Sequence, residues 1–193
     1  MLLLTEQLEK AKELLNAHRR LLKKNLDRGF LKFFKLDIMH MSRLFSTFGI
    51  SGIYECVEEL NLPIKEKAGK DLAHKLLNAI KEFAKASSKE TGNSFNVEQV
   101  PAESLALKFA AKDKLLYNSE YQIYSNQFIP LWVDCDIVDR IKLDGEFSQS
   151  LTGGGISHLN IGEKLTNATQ MKKIIEYAIK CGCEHFAINY NFC

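Results

Sequence analysis

The chain has 193 residues, of which 46% are hydrophobic and 26% are charged, and its formal net charge is only +2. This length suffices for one domain, or a large part of one, with a real core, and the small net charge argues against nucleic-acid binding through bulk charge. The apolar start at Met1–Leu4 is too short for a signal peptide or a membrane span, and no later stretch reaches membrane length. We therefore expect a cytoplasmic protein with neither a membrane nor a nucleic-acid partner.

The hydrophobic pattern predicts strands that alternate with helices along the chain. Helices are predicted over residues 5–28, 53–60, 64–87, 103–112 and 166–180, with a further candidate in the acidic segment after Pro130. Strands are predicted near residues 44–48, 94–100, 121–124, 156–161 and 184–192. This alternation indicates an α/β architecture with mostly parallel strand pairing.

The cysteines are odd in number and irregular in spacing, which argues against a disulfide framework. They are Cys56, Cys135, Cys181, Cys183 and Cys193. The pair at 181 and 183 is separated by one glycine, which is too tight for the usual zinc pairing with two intervening residues. Ordinary reduced thiols are therefore expected at that pair.

Residues 95–109, which read FNVEQVPAESLALKF, predict a strand that breaks into a helix. Such a junction leaves backbone N–H groups unpaired, and together with the helix dipole they form an anion site. The junction consists of Pro101, Ala102, Glu103 and Ser104. A plain capped helix, with Ser104 or Glu103 satisfying the first turn, explains the same pattern, and spacing alone favours that alternative.

Three other segments place polar side chains or glycines at strand ends. They are Ser46–Gly52, Tyr124–Pro130 and Thr152–His158. Their hydroxyl and amide groups suit hydrogen bonding to a sugar or a base, and their glycines permit close backbone approach, but ordinary turns explain them equally well. His158 is a candidate general acid or base, although a packed polar role is more common for a lone histidine.

Taken in order, five segments resemble the anaerobic ribonucleoside-triphosphate reductases, the glycyl-radical class of ribonucleotide reductase. The segments are Ser46–Glu55, Glu90–Ser104, Tyr124–Pro130, Leu151–Glu163 and His185–Cys193. The resemblance implies an oxygen-sensitive enzyme that makes deoxyribonucleoside triphosphates from ribonucleoside triphosphates for DNA synthesis. It also implies a ten-stranded α/β barrel of two half-sheets, each of parallel strands.

In that family a cysteine on a finger loop becomes a thiyl radical, generated by a C-terminal glycyl radical beside a four-cysteine zinc site. Neither radical-bearing motif is found in this sequence, so no catalytic residue is carried over. Cys193 corresponds in position to the first zinc-site cysteine, without its three partners. We therefore expect residues 1–193 to be a single fragment of the catalytic barrel, which holds no cofactor of its own and is inactive in isolation.

The resemblance also implies a substrate site. The substrate phosphates would bind the junction at Pro101–Ser104, in a dry pocket that protects the radical from solvent. Pocket residues implied in the same way are Ser46, Thr47, Asn96, Glu98, Ser125 and Asn126. The parent protein would bind nucleotide effectors, form a homodimer and be activated by a radical-SAM enzyme.

Two other functions fit the same residues. One is a non-catalytic nucleotide-binding or assembly module on the same fold. The other is a different glycyl-radical enzyme, for example one that acts on carboxylates. The ligand of the junction at Pro101–Ser104 discriminates between them and the reductase, because only nucleotides bring a triphosphate to it.

Overall fold

A computed structural model describes residues 1–162, 165 and 167–190. Its helices are α1 (Leu2–Asp27), α2 (Lys32–Lys35), α3 (Ile53–Glu59), α4 (Lys67–Thr91), α5 (Glu103–Tyr117), α6 (Ile137–Ser148) and α7 (Ala168–Cys181). Its strands are β1 (Phe45–Ile50), β2 (Ser94–Gln99), β3 (Ser157–Ile161) and β4 (Phe186–Tyr190). Among the described helices, none has both the length and the hydropathy of a membrane span.

The strands pair in two parallel sheets, and each pair is joined by helices. In the first unit, β1 and β2 pair from Phe45 with Ser94 to Ile50 with Gln99, and α3 and α4 connect them. In the second unit, β3 pairs with β4 and α7 connects them. Parallel strands need such crossover connections, so the predicted α/β architecture with parallel pairing is confirmed.

The first unit is packed on one face against α1, α3 and α4. Phe48 lies at its centre, with its ring stacked on Phe95 at 5.6 Å and edge-on to Phe83 at 5.7 Å. Leu77 and Val97 beside it are completely buried. Full burial of one side chain of this size stabilises the fold by about 1.5–3 kcal/mol, so this face organises the first half of the chain.

The second unit has a smaller core, formed where α6 and α7 cover β3. Its buried members are Ile141, Leu159, Ala178 and Cys183. The opposite face of this sheet carries Asn160 and Asn189, which are exposed and joined by a hydrogen bond of 2.9 Å. The second sheet therefore has one apolar face toward helices and one polar face.

A glycine segment, Thr152–Gly155, joins the two units. The N–H of Gly153 donates to the Val97 carbonyl at 2.9 Å, and the Gln99 N–H donates to the Gly154 carbonyl at 3.1 Å. A Cβ on Gly153 would lie 2.3 Å from Asn96 Nδ2, so only glycine fits there. The close backbone approach predicted for these glycines is confirmed.

Several predicted element boundaries are wrong. No strand forms at residues 121–124: the Tyr121 N–H donates to Ser119 Oγ at 3.4 Å and the Tyr124 hydroxyl donates to Asp113 Oδ2 at 2.6 Å, in place of bonds to a strand partner. The turn predicted from Gly49 begins later, since β1 continues to Ile50. Gly49 serves packing: a Cβ there would lie 2.7 Å from Val100 Cγ2. Helix α5 runs beyond its predicted end at residue 112 to Tyr117.

Candidate functional site

The carboxyl ends of β1 and β2 open into a cleft of about 200 Å³. One wall is the start of α5, and the facing wall is the irregular segment 124–127. Polar or backbone groups reach the cleft from Ser51, Ala102, Glu103, Ser125, Asn126 and Gln127. Ligands commonly bind outside the carboxyl ends of parallel strands, so this is the expected place for a site.

The first turn of α5 is open. Ala102 is the N-cap residue and its side chain makes no capping hydrogen bond, while the Leu105 and Ala106 N–H groups both donate to the Ala102 carbonyl. The alternative of a helix capped by Ser104 or Glu103 is therefore not observed. The N–H groups of this turn and the dipole of α5 favour an anion by about 0.3–1 kcal/mol per charge. The exposed carboxylate of Glu103 opposes this attraction, with its charge screened by solvent.

The facing wall is fixed by its backbone. Ser125 is buried, its carbonyl accepts from the Gly52 N–H at 2.7 Å, and its hydroxyl oxygen accepts from the Gln127 N–H at 2.9 Å. The Ser125 hydroxyl is therefore turned toward its own loop. Asn126 is half-buried and lines the cleft.

The face of the first sheet that points away from the helices is polar. It carries Thr47, Asn96 and Glu98, and the Asn96 Nδ2 donates to Glu98 Oε1 at 2.7 Å. Asn96 Oδ1 is buried and has no hydrogen-bond partner among the described residues. A buried acceptor without a partner is rare in folded proteins, so this oxygen distinguishes Asn96 from the other polar groups of the sheet.

Ser46 is on the opposite face of β1 from this polar group. It is buried, and its hydroxyl accepts a 2.8 Å hydrogen bond from Arg19 Nε. The structure therefore brings Thr47, Asn96 and Glu98 together and places Ser46 in the contact between α1 and the sheet. Strand alternation explains the split, because neighbouring residues of a strand face opposite sides.

Glu55 lies outside the cleft lining but contacts its wall at Ser125, and no role was predicted for it. It lies in the first turn of α3 and is 2% exposed, and its Oε1 accepts from the Ser125 N–H at 2.8 Å. Burial raises the pKa of this carboxyl, and the hydrogen bond from Ser125 opposes the rise in part. Ile53 and Val57 share one face of α3 and Glu55 lies on the other side of the helix, so the apolar pattern of α3 gives no sequence signal that Glu55 is buried.

Two larger cavities border α1, and their walls suit an anion poorly. One, of about 680 Å³, is lined mainly by leucines of α1 and by β1. The other, of about 770 Å³, is lined by Glu55, Glu59 and Asp113. Burial and the hydrogen bond to Asp113 raise the pKa of Tyr124, in the same wall, to about 12. The smaller cleft is therefore the better candidate for a phosphorylated ligand.

Two further predictions concern isolated residues. His158 is half-buried, and its backbone N–H donates to Gln127 Oε1 at 3.4 Å, so it borders the cleft through its main chain. Cys193, the predicted zinc ligand, lies outside the described residues. Within the described ranges no group of three or more histidine, cysteine or acidic side chains could hold a metal ion, and Cys181 and Cys183 are free thiols.

Comparison with known proteins adds a family to this geometry. A family model of anaerobic ribonucleoside-triphosphate reductases matches residues 1–193. A comparison with curated proteins found no match. A solved chain described as an anaerobic ribonucleotide reductase superposes with a TM-score of 0.93 at 29% identity, over 97% of this chain and 31% of that one.

The anaerobic ribonucleotide reductase from Thermotoga maritima is similar in two further structures. The structure with citrate in the active site has a TM-score of 0.90 at 28% identity, over 97% of this chain and 35% of that one. The complex with dATP and CTP has a TM-score of 0.90 at 29% identity, over 96% of this chain and 32% of that one. The present chain therefore spans about a third of the length of the solved structures that it matches, and its fold is the predicted part of an α/β barrel.

Proposed function

Because the chain belongs to the anaerobic ribonucleoside-triphosphate reductase family, we propose that it supplies the substrate cleft of an enzyme that reduces ribonucleoside triphosphates to deoxyribonucleoside triphosphates by radical chemistry. The observation that carries the proposal is the uncapped start of α5 opposite residues 124–127, across a cleft at the strand ends. This geometry matches an elongated ligand with an anionic end and a polar body.

The phosphates bind at Pro101–Ser104 in this proposal. The N–H groups of Glu103 and Ser104 are the donors, and the α5 dipole favours the negative charge. Holding the phosphates at a fixed point would position the ribose for reaction without further ordering.

The sugar and base occupy the remaining polar groups. Ser125 and Asn126 line the cleft, and Thr47, Asn96 and Glu98 share the polar face of the first sheet, whose strands end at the cleft. Asn96 Oδ1, which has no hydrogen-bond partner among the described residues, would accept from a ligand hydroxyl in this proposal. Leu131 and Trp132 supply apolar surface at the cleft, which would help to exclude water.

The wider protein is part of the same proposal. We propose that residues 1–193 are one portion of a catalytic barrel, and that the glycyl radical, the zinc site with Cys193 and the nucleotide effectors belong to the whole enzyme. Its partners would be a second subunit and a radical-SAM activating enzyme, and it would work in the cytoplasm with the nucleotide pool. Flanking coding DNA that lacks a finger-loop cysteine upstream and a glycyl-radical motif downstream would contradict this and favour a non-catalytic module.

Nucleotide binding by the chain itself tests the cleft. In amide NMR spectra, CTP is expected to shift the signals of Ala102–Leu105 most, and cytidine without phosphate is expected to shift them far less. Ser104→Pro removes one N–H donor at a helix position that tolerates proline, and should weaken CTP binding about tenfold. Ser104→Ala keeps that N–H and should bind CTP like the wild type.

Three outcomes would contradict the proposal. If CTP does not shift the amide signals of Ala102–Leu105, the phosphates do not bind there. Equal loss of affinity in Ser104→Ala and Ser104→Pro would show that the backbone donor is not the contact. A simple carboxylate such as succinate that shifts the same amides, where CTP does not, would favour a glycyl-radical enzyme acting on carboxylates.

A further inference from the structure

Glu55 is buried at a cost that packing alone does not explain. It is 2% exposed, it has a carboxylate oxygen, Oε2, with no hydrogen-bond partner among the described residues, and no salt bridge to it is observed there. An apolar side chain of similar volume would fill the same space without losing hydration. The reason for a carboxylate at this position must therefore be the hydrogen bond that it accepts, because an apolar side chain could not accept one.

That contact is with Ser125. Glu55 Oε1 accepts from the Ser125 N–H at 2.8 Å, while the Ser125 carbonyl accepts from the Gly52 N–H at 2.7 Å and from Ser51 Oγ at 3.1 Å. Both backbone polar groups of Ser125, its N–H and its carbonyl, are thus held by residues 51–55. These bonds take the place of a strand ladder, because that segment has no regular structure of its own.

The consequence reaches the cleft directly. Ser125 and the two residues after it form the wall that faces the start of α5, and the Ser125 hydroxyl in turn holds the Gln127 N–H at 2.9 Å. A bond to an ionised acceptor is about twice as strong as one between neutral groups. Glu55 holds residue 125 of this wall in this way, while the Tyr124 hydroxyl, which donates to Asp113 Oδ2 at 2.6 Å, holds residue 124.

We propose that Glu55 is a positioning residue of the nucleotide cleft, fixing the Ser125 backbone so that residues 125–127 stand at the correct distance from the open turn of α5. The proposal rests on the function proposed above, since it assumes that a nucleotide occupies the cleft. Glu55 does not touch the ligand in this arrangement. It strengthens binding because residues 125–127 are already ordered before the ligand binds, so the entropic cost of ordering them is not subtracted from the binding free energy.

The same helix offers a matched control. Glu58 Oε1 accepts from the Ile64 N–H at 3.0 Å, so it too is a carboxylate of α3 that holds one backbone N–H. It stabilises the turn after α3 and does not line the cleft. Replacing either glutamate removes one comparable bond, but only Glu55 is connected to residues 125–127.

The test compares four variants of the chain by amide hydrogen exchange and by CTP titration. In Glu55→Ala, and in Glu55→Met, which keeps the side-chain volume, we expect protection of the Ser125 amide and CTP affinity each to fall about tenfold. Glu55→Gln retains an acceptor oxygen and should stay within about threefold of the wild type in both measurements. Glu58→Ala should leave both unchanged.

Each other result overturns the proposal in a recognisable way. If the wild type binds CTP at Ala102–Leu105 and Glu55→Met binds it equally well, the positioning role fails while the proposed function stands. If Glu58→Ala weakens CTP binding as much as Glu55→Ala, the effect is general destabilisation. If the wild type does not bind CTP, the proposed function fails first and the positioning role with it. Should Glu55→Ala not fold, Glu55→Met and Glu55→Gln decide the question by themselves.

Discussion

The two strand–helix–strand units share a topology but differ in how they accommodate buried charge. Beside the first unit, Arg19 is buried, and its guanidinium donates hydrogen bonds to the Ser46 hydroxyl and to the carbonyls of Met41 and Ser94. Beside the second unit, Asp144 is buried and neither of its carboxylate oxygens has a hydrogen-bond partner among the described residues. Arg140, one turn before it, uses its N–H groups on carbonyls of residues 129–133.

This difference indicates which of the two units is the more stable. A buried charge with satisfied hydrogen bonds links elements, whereas an unsatisfied one lowers stability when it is ionised. The first unit also has the larger apolar core, and it carries the candidate cleft at its strand ends. We therefore expect the first unit to resist local opening more than the second does.

The largest effect is expected from truncating a buried leucine in each hydrophobic core. Leu77→Ala should lower the free energy of unfolding by about 3–4 kcal/mol, because Leu77 is fully buried in the larger core, which cannot collapse around the cavity. Leu159→Ala should cost less, about 2–3 kcal/mol, since the smaller cluster can relax. Urea denaturation measures both. Equal costs would remove the proposed difference between the units.

The pH dependence of the second unit comes next. Burial raises the pKa of Asp144 to about 6, against attraction by Arg140 and a smaller lowering by the nearby Ser157 hydroxyl, whose contact is too poor in geometry to count as a full hydrogen bond. The folded state then binds a proton that the unfolded state has released, so stability should fall as pH rises from about 4 to about 6, by up to about 3 kcal/mol. Asp144→Asn should flatten that slope and be more stable than the wild type at pH 7. An unchanged slope in denaturation between pH 4 and pH 7 would contradict this.

The smallest of these effects on stability is expected where the glycine segment Thr152–Gly155 contacts β2, a contact that we call the seam between the units. A Cβ on Gly153 would lie 2.3 Å from Asn96 Nδ2 and from Glu98 Cγ, so Gly153→Ala must displace these two side chains and should cost about 1–3 kcal/mol. Among the described residues, a Cβ on Gly162 meets no atom within 4 Å, so Gly162→Ala is the control and should be close to neutral. Thermal melts compare the two. Equal melting temperatures would show that the seam tolerates a shift.

Much of the fold could be predicted because its signals are local. Leucines at helical spacing predict α1, and apolar residues next to turn signals predict β1, β2 and β3. The strand-to-helix junction before α5 was likewise predicted from a proline and a serine at a strand end, whereas the anion site there stays a prediction. The segment at residues 121–124 has the alternation of a strand but no neighbouring strand to pair with, so its pattern misled the prediction.

The side on which a residue lies was harder to predict than its element. Ser46 and Thr47 are adjacent and both polar, and only the packing of α1 decides that the first is held by Arg19 while the second faces away from the helices. Glu55 has no local signal of function, since its partner Ser125 is far along the chain. Long-range pairing of this kind depends on how the units are assembled.

The sequence by itself determined the alternation of helices and strands, the strand-to-helix junction at Pro101–Ser104 and the order of segments that indicates the reductase family. These follow from local periodicity, turn chemistry and residue identity. The tertiary structure alone decided that the first turn of α5 is left uncapped, that residues 124–127 stand opposite it, and that Glu55 anchors them. The reason is physical: hydrogen bonds and burial between residues distant in the chain exist only once the strands and helices have packed together.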